Sequence, residues 1–234
     1  MRKLILLAAV LCLAGGALLF ARGAYIIWDP GAARVQHQLT ATMHRQWQRD
    51  PGSDNPLLAI RLRPGQPFAS IMIPRFGPTW RFTIVQGTSL VQLATGPGHV
   101  LGTQYPGEPG NFAVAAHDIT AGNPFLHLGT LRAGDQVIVQ TAYGTYTYKV
   151  LYRQVVRYTD AAVLAPVPGD PGVRPTAQYI TLITCTPVTL AFTPWRIVVT
   201  GVLTHTAPAA HHAAERRHSK ALSRRGDRDG AAAQ

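Results

Sequence analysis

Only two cysteines occur in 234 residues. Cys12 lies inside an apolar run, which leaves Cys185 alone in the rest of the chain. A disulfide framework of the kind that staples small exported domains is therefore excluded. No Cys-x-x-Cys pair is present, which removes thioredoxin-type redox chemistry. His, Cys, Asp and Glu never cluster at ligand spacing, so no metal and no cofactor are expected. There is no Gly-rich phosphate loop and no internal repeat. Charge is sparse and one-sided, with 14% charged residues, 22 basic against 11 acidic, and a net charge of +11. Such a balance raises the question of nucleic acid. No aromatic-basic recognition motif accompanies it, so no nucleic-acid partner is expected. Attraction to an anionic membrane or wall is the simpler use of the charge.

What is present begins with an uncharged run of 18 residues, Leu4 to Ala21, behind Arg2 and Lys3. At about 1.5 Å per residue it measures roughly 27 Å, near the thickness of a bilayer core. The basic start places the N-terminus in the cytoplasm. No small-x-small cleavage site precedes a polar segment, and Tyr25 and Trp28 suit a membrane interface. The expectation is an uncleaved, single-pass anchor in the cell membrane, with the remaining chain extracytoplasmic.

Four units follow from texture. Residues 1–22 form the cytoplasmic tip and transmembrane anchor. Residues 23–66 form a juxtamembrane helix and linker. The helix starts at Asp29-Pro30 and carries Val35, Leu39, Met43 and Trp47 on one stripe. Residues 67–206 alternate like short strands, at 68–73, 81–85, 111–116, 136–141, 145–157, 178–184 and 196–203, with short helical turns at 88–94 and 125–128. Seven or eight strands with few helices predict an all-β, closed or nearly closed barrel. Residues 158–177, with four prolines, read as a long ordered loop over one end of it. Residues 207–234 have no apolar period and read as a disordered basic tail.

Chemistry concentrates at three places. Cys185 ends the apolar strand "YITLITCTP". With redox and metal roles removed, it is either sealed in a core or a nucleophile, and a nucleophile needs a base and an oxyanion donor. His117 ends "NFAVAAH" at a strand end beside a loop; taken alone it reads equally as a capping histidine. Arg196 opens the strand after Cys185. If those two strands pair antiparallel, thiol and guanidinium share a rim. A guanidinium donates hydrogen bonds but cannot act as a base. His99 reads as structural and His127 as a surface residue.

Together, "TLITC" at 181–185, "NFAVAAH" at 111–117, Arg196 and the block "GPGHVLGTQYPGEPGNFAVAAHD" at 96–118 resemble the sortase family over about residues 67–203. They look most like the class E sortases of actinobacteria. The resemblance implies a sortase-like barrel behind a membrane anchor, and a cysteine transpeptidase. Such an enzyme cuts a C-terminal Leu-Ala-x-Thr-Gly or Leu-Pro-x-Thr-Gly signal after Thr, through a thioester on Cys185. It passes the protein to an amine of the peptidoglycan precursor lipid II. Implied partners are surface proteins with that signal, the precursor and the membrane. By the same resemblance His117 is the acid and base, and Arg196 steadies the oxyanion. Tyr105, in "GTQYPG", matches a tyrosine linked to the alanine preference. Thr184 either positions the peptide or caps its strand. Asp118 stands where relatives often carry arginine, and Thr186 where class E often carries histidine. Near His117, Asp118 favours a protonated imidazole, but does little if it faces solvent. A thiol peptidase on the same barrel and a non-catalytic wall-protein binding module are the alternatives.

Overall fold

The computed structural model describes residues 2–28, 30–49, 62–188 and 192–209. Two helices come first, α1 (Arg2–Trp28) and α2 (Pro30–Arg49). The strands are β1 (Pro67–Met72), β2 (Arg81–Gln86), β3 (Gly98–His99), β4 (Gly110–Ala115), β5 (Gln136–Thr141), β6 (Gly144–Arg157), β7 (Gln178–Thr186) and β8 (Trp195–Pro208). They close into one barrel in the order β1-β2-β3-β4-β7-β8-β6-β5. The expected all-β barrel is therefore present, with eight strands. β3 escaped the sequence reading because two residues show no alternation. Its Gly98 is required by proximity: a Cβ there would stand 2.2 Å from the carbonyl oxygen of Gly87.

Alternation explains the barrel's two faces. Phe112, Val114 and Ala116 point inward, as do Ile180 and Leu182 of β7 and Val199 of β8, joining Ile71, Ile84, Val139 and Tyr148 in one core. Burying such side chains stabilises by roughly 1.5–3 kcal/mol each. The buried hydroxyl of Tyr148 accepts from the Gly107 N–H at 3.0 Å. The odd-numbered residues of β4 and β7 face outward. There Ile183, Val198 and Val156 form a second, smaller cluster with Val163 and Leu164. The latter two belong to a 3-10 turn, Ala161–Leu164, in the connection between β6 and β7. Asn111, buried on that outward face, ties the turn down by donating from Nδ2 to the carbonyls of Val163 at 3.0 Å and Ala165 at 3.1 Å. Residues 161–165 of the proline-rich connection thus pack on the outward face of the sheet.

α2 packs against β1 and β2. Met43 of the expected stripe is buried, whereas Val35, Leu39 and Trp47 are half-buried. A polar latch, which periodicity could not show, supplements them. Gln36 accepts from the Thr83 N–H at 2.7 Å and donates to the Thr95 carbonyl at 2.5 Å. β3 pairs with β2 only at Val85 and Gln86, so Gln36 satisfies an edge that would otherwise be open.

Among the described residues no helix is long and apolar enough to cross a membrane. The structure therefore does not support the transmembrane helix expected over 1–22. α1 does cover this segment as a helix. Most of the expected linker and basic tail, at 50–61 and 210–234, lies outside the described residues. β8 continues to Pro208, two residues beyond the end expected for the barrel.

Candidate active site

β7 and β8 pair antiparallel with Cys185 directly opposite Arg196. On the other side of β7, β4 pairs in parallel, with Ala115 opposite Ile183. The Ala116 N–H continues that ladder to the Ile183 carbonyl at 3.1 Å. Cys185 and Arg196 thus share one rung of β7 and β8. β4 ends at Ala115, and His117 follows two residues later, past the last paired residue and on the other side of β7 from Arg196. The alternation along β7 turns Cys185 outward. The floor around it is Ala115, Ile183 and Val198, and the 161–164 turn stands beside that floor.

Each member is held by its surroundings. Thr184 is buried and faces the opposite way, into the barrel, where its hydroxyl donates to the Ala116 carbonyl at 2.8 Å. It locks the chain just before His117 and does not line the groove. The carbonyl of His117 itself accepts from the Phe125 N–H at 3.0 Å. Arg196 Nη1 donates to the carbonyls of Thr193 at 2.7 Å and Trp195 at 2.8 Å, and the guanidinium carbon lies 5.9 Å from the Tyr158 ring. Among the described residues its Nε and Nη2 hydrogens meet no hydrogen-bond acceptor, and a guanidinium can offer them to an anion.

Burial dominates the protonation of the pair. It pushes the Cys185 thiol up; Arg196 opposes that, and Asp118 adds to it. Burial pushes His117 down, against the charge of Asp118. At neutral pH the resting forms are thus thiol and neutral imidazole, and thiolate with imidazolium is the minor form. Cys185 is a free thiol. Among the described residues no three His, Cys, Asp or Glu side chains gather as a metal site requires.

Tyr105 is placed elsewhere. Its ring packs on His99 at 4.8 Å and on Phe68 at 5.7 Å, and its hydroxyl accepts from Gln86 Nε2 at 3.1 Å. His99 is fully buried beside it, with Nδ1 at 2.9 Å from Gln86 Oε1 and Nε2 at 3.0 Å from Thr103 Oγ1. Burial pushes the imidazole down to about 4. His127 is exposed. The structure thus sets Cys185 opposite Arg196 and His117 just past the end of β4, while Thr184 bonds the Ala116 carbonyl and Tyr105 packs against His99.

A barrel of this strand order, with Cys185 opposite Arg196 and His117 just past β4, can be compared with known proteins. A sequence model of the sortase domain matches residues 71–204. The chain belongs to the sortase family. It is 31% identical over 194 residues to sortase SrtE1 of Streptomyces coelicolor, covering 77% of this chain and 51% of that protein. This sortase therefore spans about half the length of that curated relative. The solved sortase E of Streptomyces avermitilis is 37% identical, with a TM-score of 0.56 over 62% of this chain and 93% of the other. Sortase E1 of Streptomyces coelicolor, solved with a tripeptide in the active site, is 31% identical, with a TM-score of 0.56 over 63% and 93% of the two chains. Class E sortases are thus among the solved relatives of this sortase.

Two features of the site were not legible in the sequence. One is the anchoring of the 161–164 turn by Asn111, since an asparagine in a strand carries no sign of its partner. The other is the burial of Asp118, which is only 4% exposed. Its sequence neighbourhood allowed a solvent-facing side chain equally well.

Proposed function

We propose that this sortase is a cysteine transpeptidase acting on C-terminal sorting signals of surface proteins. The observation that carries this reading is Cys185 directly opposite Arg196 on β7 and β8, with His117 two residues past the end of β4, the strand on the other side of β7. Cys185 Sγ attacks the carbonyl carbon of the signal's threonine. The tetrahedral oxyanion receives hydrogen bonds from Arg196. The C–N bond breaks, and His117 as imidazolium protonates the departing amine, leaving a thioester. An incoming amine then gives its proton to His117, attacks the thioester and expels the Cys185 thiolate. The signal is Leu-Ala-x-Thr-Gly or Leu-Pro-x-Thr-Gly, and the acceptor is the amine of a cell-wall precursor such as lipid II. Tyr105, packed behind β4, acts on the alanine preference by holding the segment before the histidine strand. The protein is anchored in the cell membrane through α1, with the barrel outside the cytoplasm. The exposed apolar side chains Leu13 and Phe20 on α1 support this placement.

The test is a fluorogenic peptide carrying either signal, incubated with the full chain and an excess of triglycine or hydroxylamine. The expected product, read by mass, is the threonyl amide or hydroxamate. Cleavage to the free threonine carboxylate alone, whatever the amine concentration, would replace this reading with a thiol peptidase. No cleavage of either peptide would leave a binding module.

A further inference from the structure

Asp118 is a charged side chain to which the proposed chemistry gives no role. It directly follows His117 and is buried. Its Oδ1 accepts from the Ile119 N–H at 2.9 Å, while Oδ2 is buried without a hydrogen-bond partner among the described residues. Burying a carboxylate oxygen without a donor is costly, so a free loop would turn it to solvent. This loop is not free. Past Asp118 it turns back through Ala121, Gly122 and Asn123, all at positive φ (55°, 81° and 57°). It is then pinned by the fully buried Phe125, whose N–H reaches back to His117. The fold holds the carboxylate inside, next to the reacting groups.

We infer that Asp118 is a positioning residue of the reaction, whose buried carboxylate, held inside directly after His117, shifts the pH range that burial sets for His117 and Cys185. The inference rests on the reading of these two residues as the reacting groups. The negative charge favours imidazolium at His117 and disfavours thiolate at Cys185. It therefore moves both limbs of the pH profile in one direction, toward higher pH. Few other charges face the pair. β8 brings Arg196, which favours the thiolate. From the end of β6, Arg157 lies over Trp195 at 5.6 Å and Tyr158 lies under Arg196 at 5.9 Å. Asp160 caps the 161–164 turn through the Ala162 N–H. Residues 187, 188 and 192–194, between β7 and β8, carry no charge. Among the described residues Asp118 is thus the carboxylate whose charge acts on both members of the pair.

The experiment compares the full chain with D118N and D118E. Two readouts are followed across pH: kcat/KM for peptide cleavage, and the alkylation rate of Cys185 by iodoacetamide, located by peptide mapping. D118N keeps an oxygen for the Ile119 N–H and removes the charge. The expected result is a downward shift of both limbs and of the alkylation midpoint in D118N, with wild-type positions kept in D118E. A lower maximum with unmoved limbs, or an unmoved alkylation midpoint, overturns the inference and leaves Asp118 a structural residue. Should D118N fail to fold, D118S, which also offers an oxygen without charge, carries the same expectation. Alkylation needs no peptide substrate. If the wild-type chain cleaves no peptide but its alkylation midpoint still moves in D118N, the transpeptidase reading fails while the field of Asp118 stands.

Discussion

At the scale of single residues, position on a rung matters more than residue type. Cys185 and Thr184 are consecutive, yet one faces the groove and the other the core. Replacing Cys185 with Ala is expected to abolish peptide cleavage while the thermal midpoint stays within a few degrees of wild type, read by fluorogenic assay and circular dichroism. Cleavage that survives in Cys185→Ala removes the thiol mechanism. Arg196→Lys keeps the charge but loses the planar fork. A fall in kcat of about 100- to 1000-fold is expected, as for loss of one oxyanion donor. The pH profile follows from the directions of the two shifts. The thiolate–imidazolium form exists most between the two proton affinities. Since burial lowers His117 and raises Cys185, the acid limb should fall below the ordinary histidine range and the alkaline limb above the ordinary thiol range. A narrow bell between about 6.5 and 8.5, the ordinary values, would show that burial does not govern the pair.

At the scale of elements, strands were legible wherever apolar residues alternated, and the helix of residues 30–49 announced itself by its four-residue stripe. What could not be read was which elements touch through polar groups. Gln36 reaches the edge of β2 and Asn111 reaches the 161–164 turn, both over long sequence separations. Asn111→Ala should free the 158–177 connection and raise its proteolysis, measured by limited chymotrypsin digestion with mass mapping at Tyr158 and Leu164. An unchanged cleavage pattern would mean that Val163 and Leu164 hold the connection by apolar packing alone. On the same face Thr181 and Thr200 are opposite each other, and their buried hydroxyls have no partner among the described residues. Replacing both with Val removes two unsatisfied groups at constant shape. The double variant is expected to gain about 1 kcal/mol or more in urea denaturation; a loss would show that the hydroxyls are satisfied in solution.

At the scale of the whole molecule, stability should depend on acid through His99. Its imidazole takes a proton near 6.5 in the unfolded chain but only near 4 in the folded barrel. Between these values only the unfolded state binds the proton. Stability is therefore full above about pH 6.5, falls as pH drops through the window, and levels off below about 4, with a loss on the order of 3 kcal/mol. His99→Gln should flatten that part of the profile, read as the urea midpoint against pH; an unchanged slope assigns the acid loss to other groups. The proposed anchor is also a property of the whole chain. The full-length protein should stay with the membrane fraction after alkaline carbonate washing, and its release would end the α1 reading.

The sequence by itself determined seven of the eight strands, the barrel class and the family resemblance carried by Cys185, His117 and Arg196. These depend on local alternation and on residue chemistry, both of which are written in order along the chain. Tertiary structure alone decided that Cys185 stands opposite Arg196, that Thr184 turns inward to the Ala116 carbonyl, and that Asp118 is drawn inside. Each of these is set by register across strands far apart in sequence, where a shift of one residue would turn every side chain to the other face.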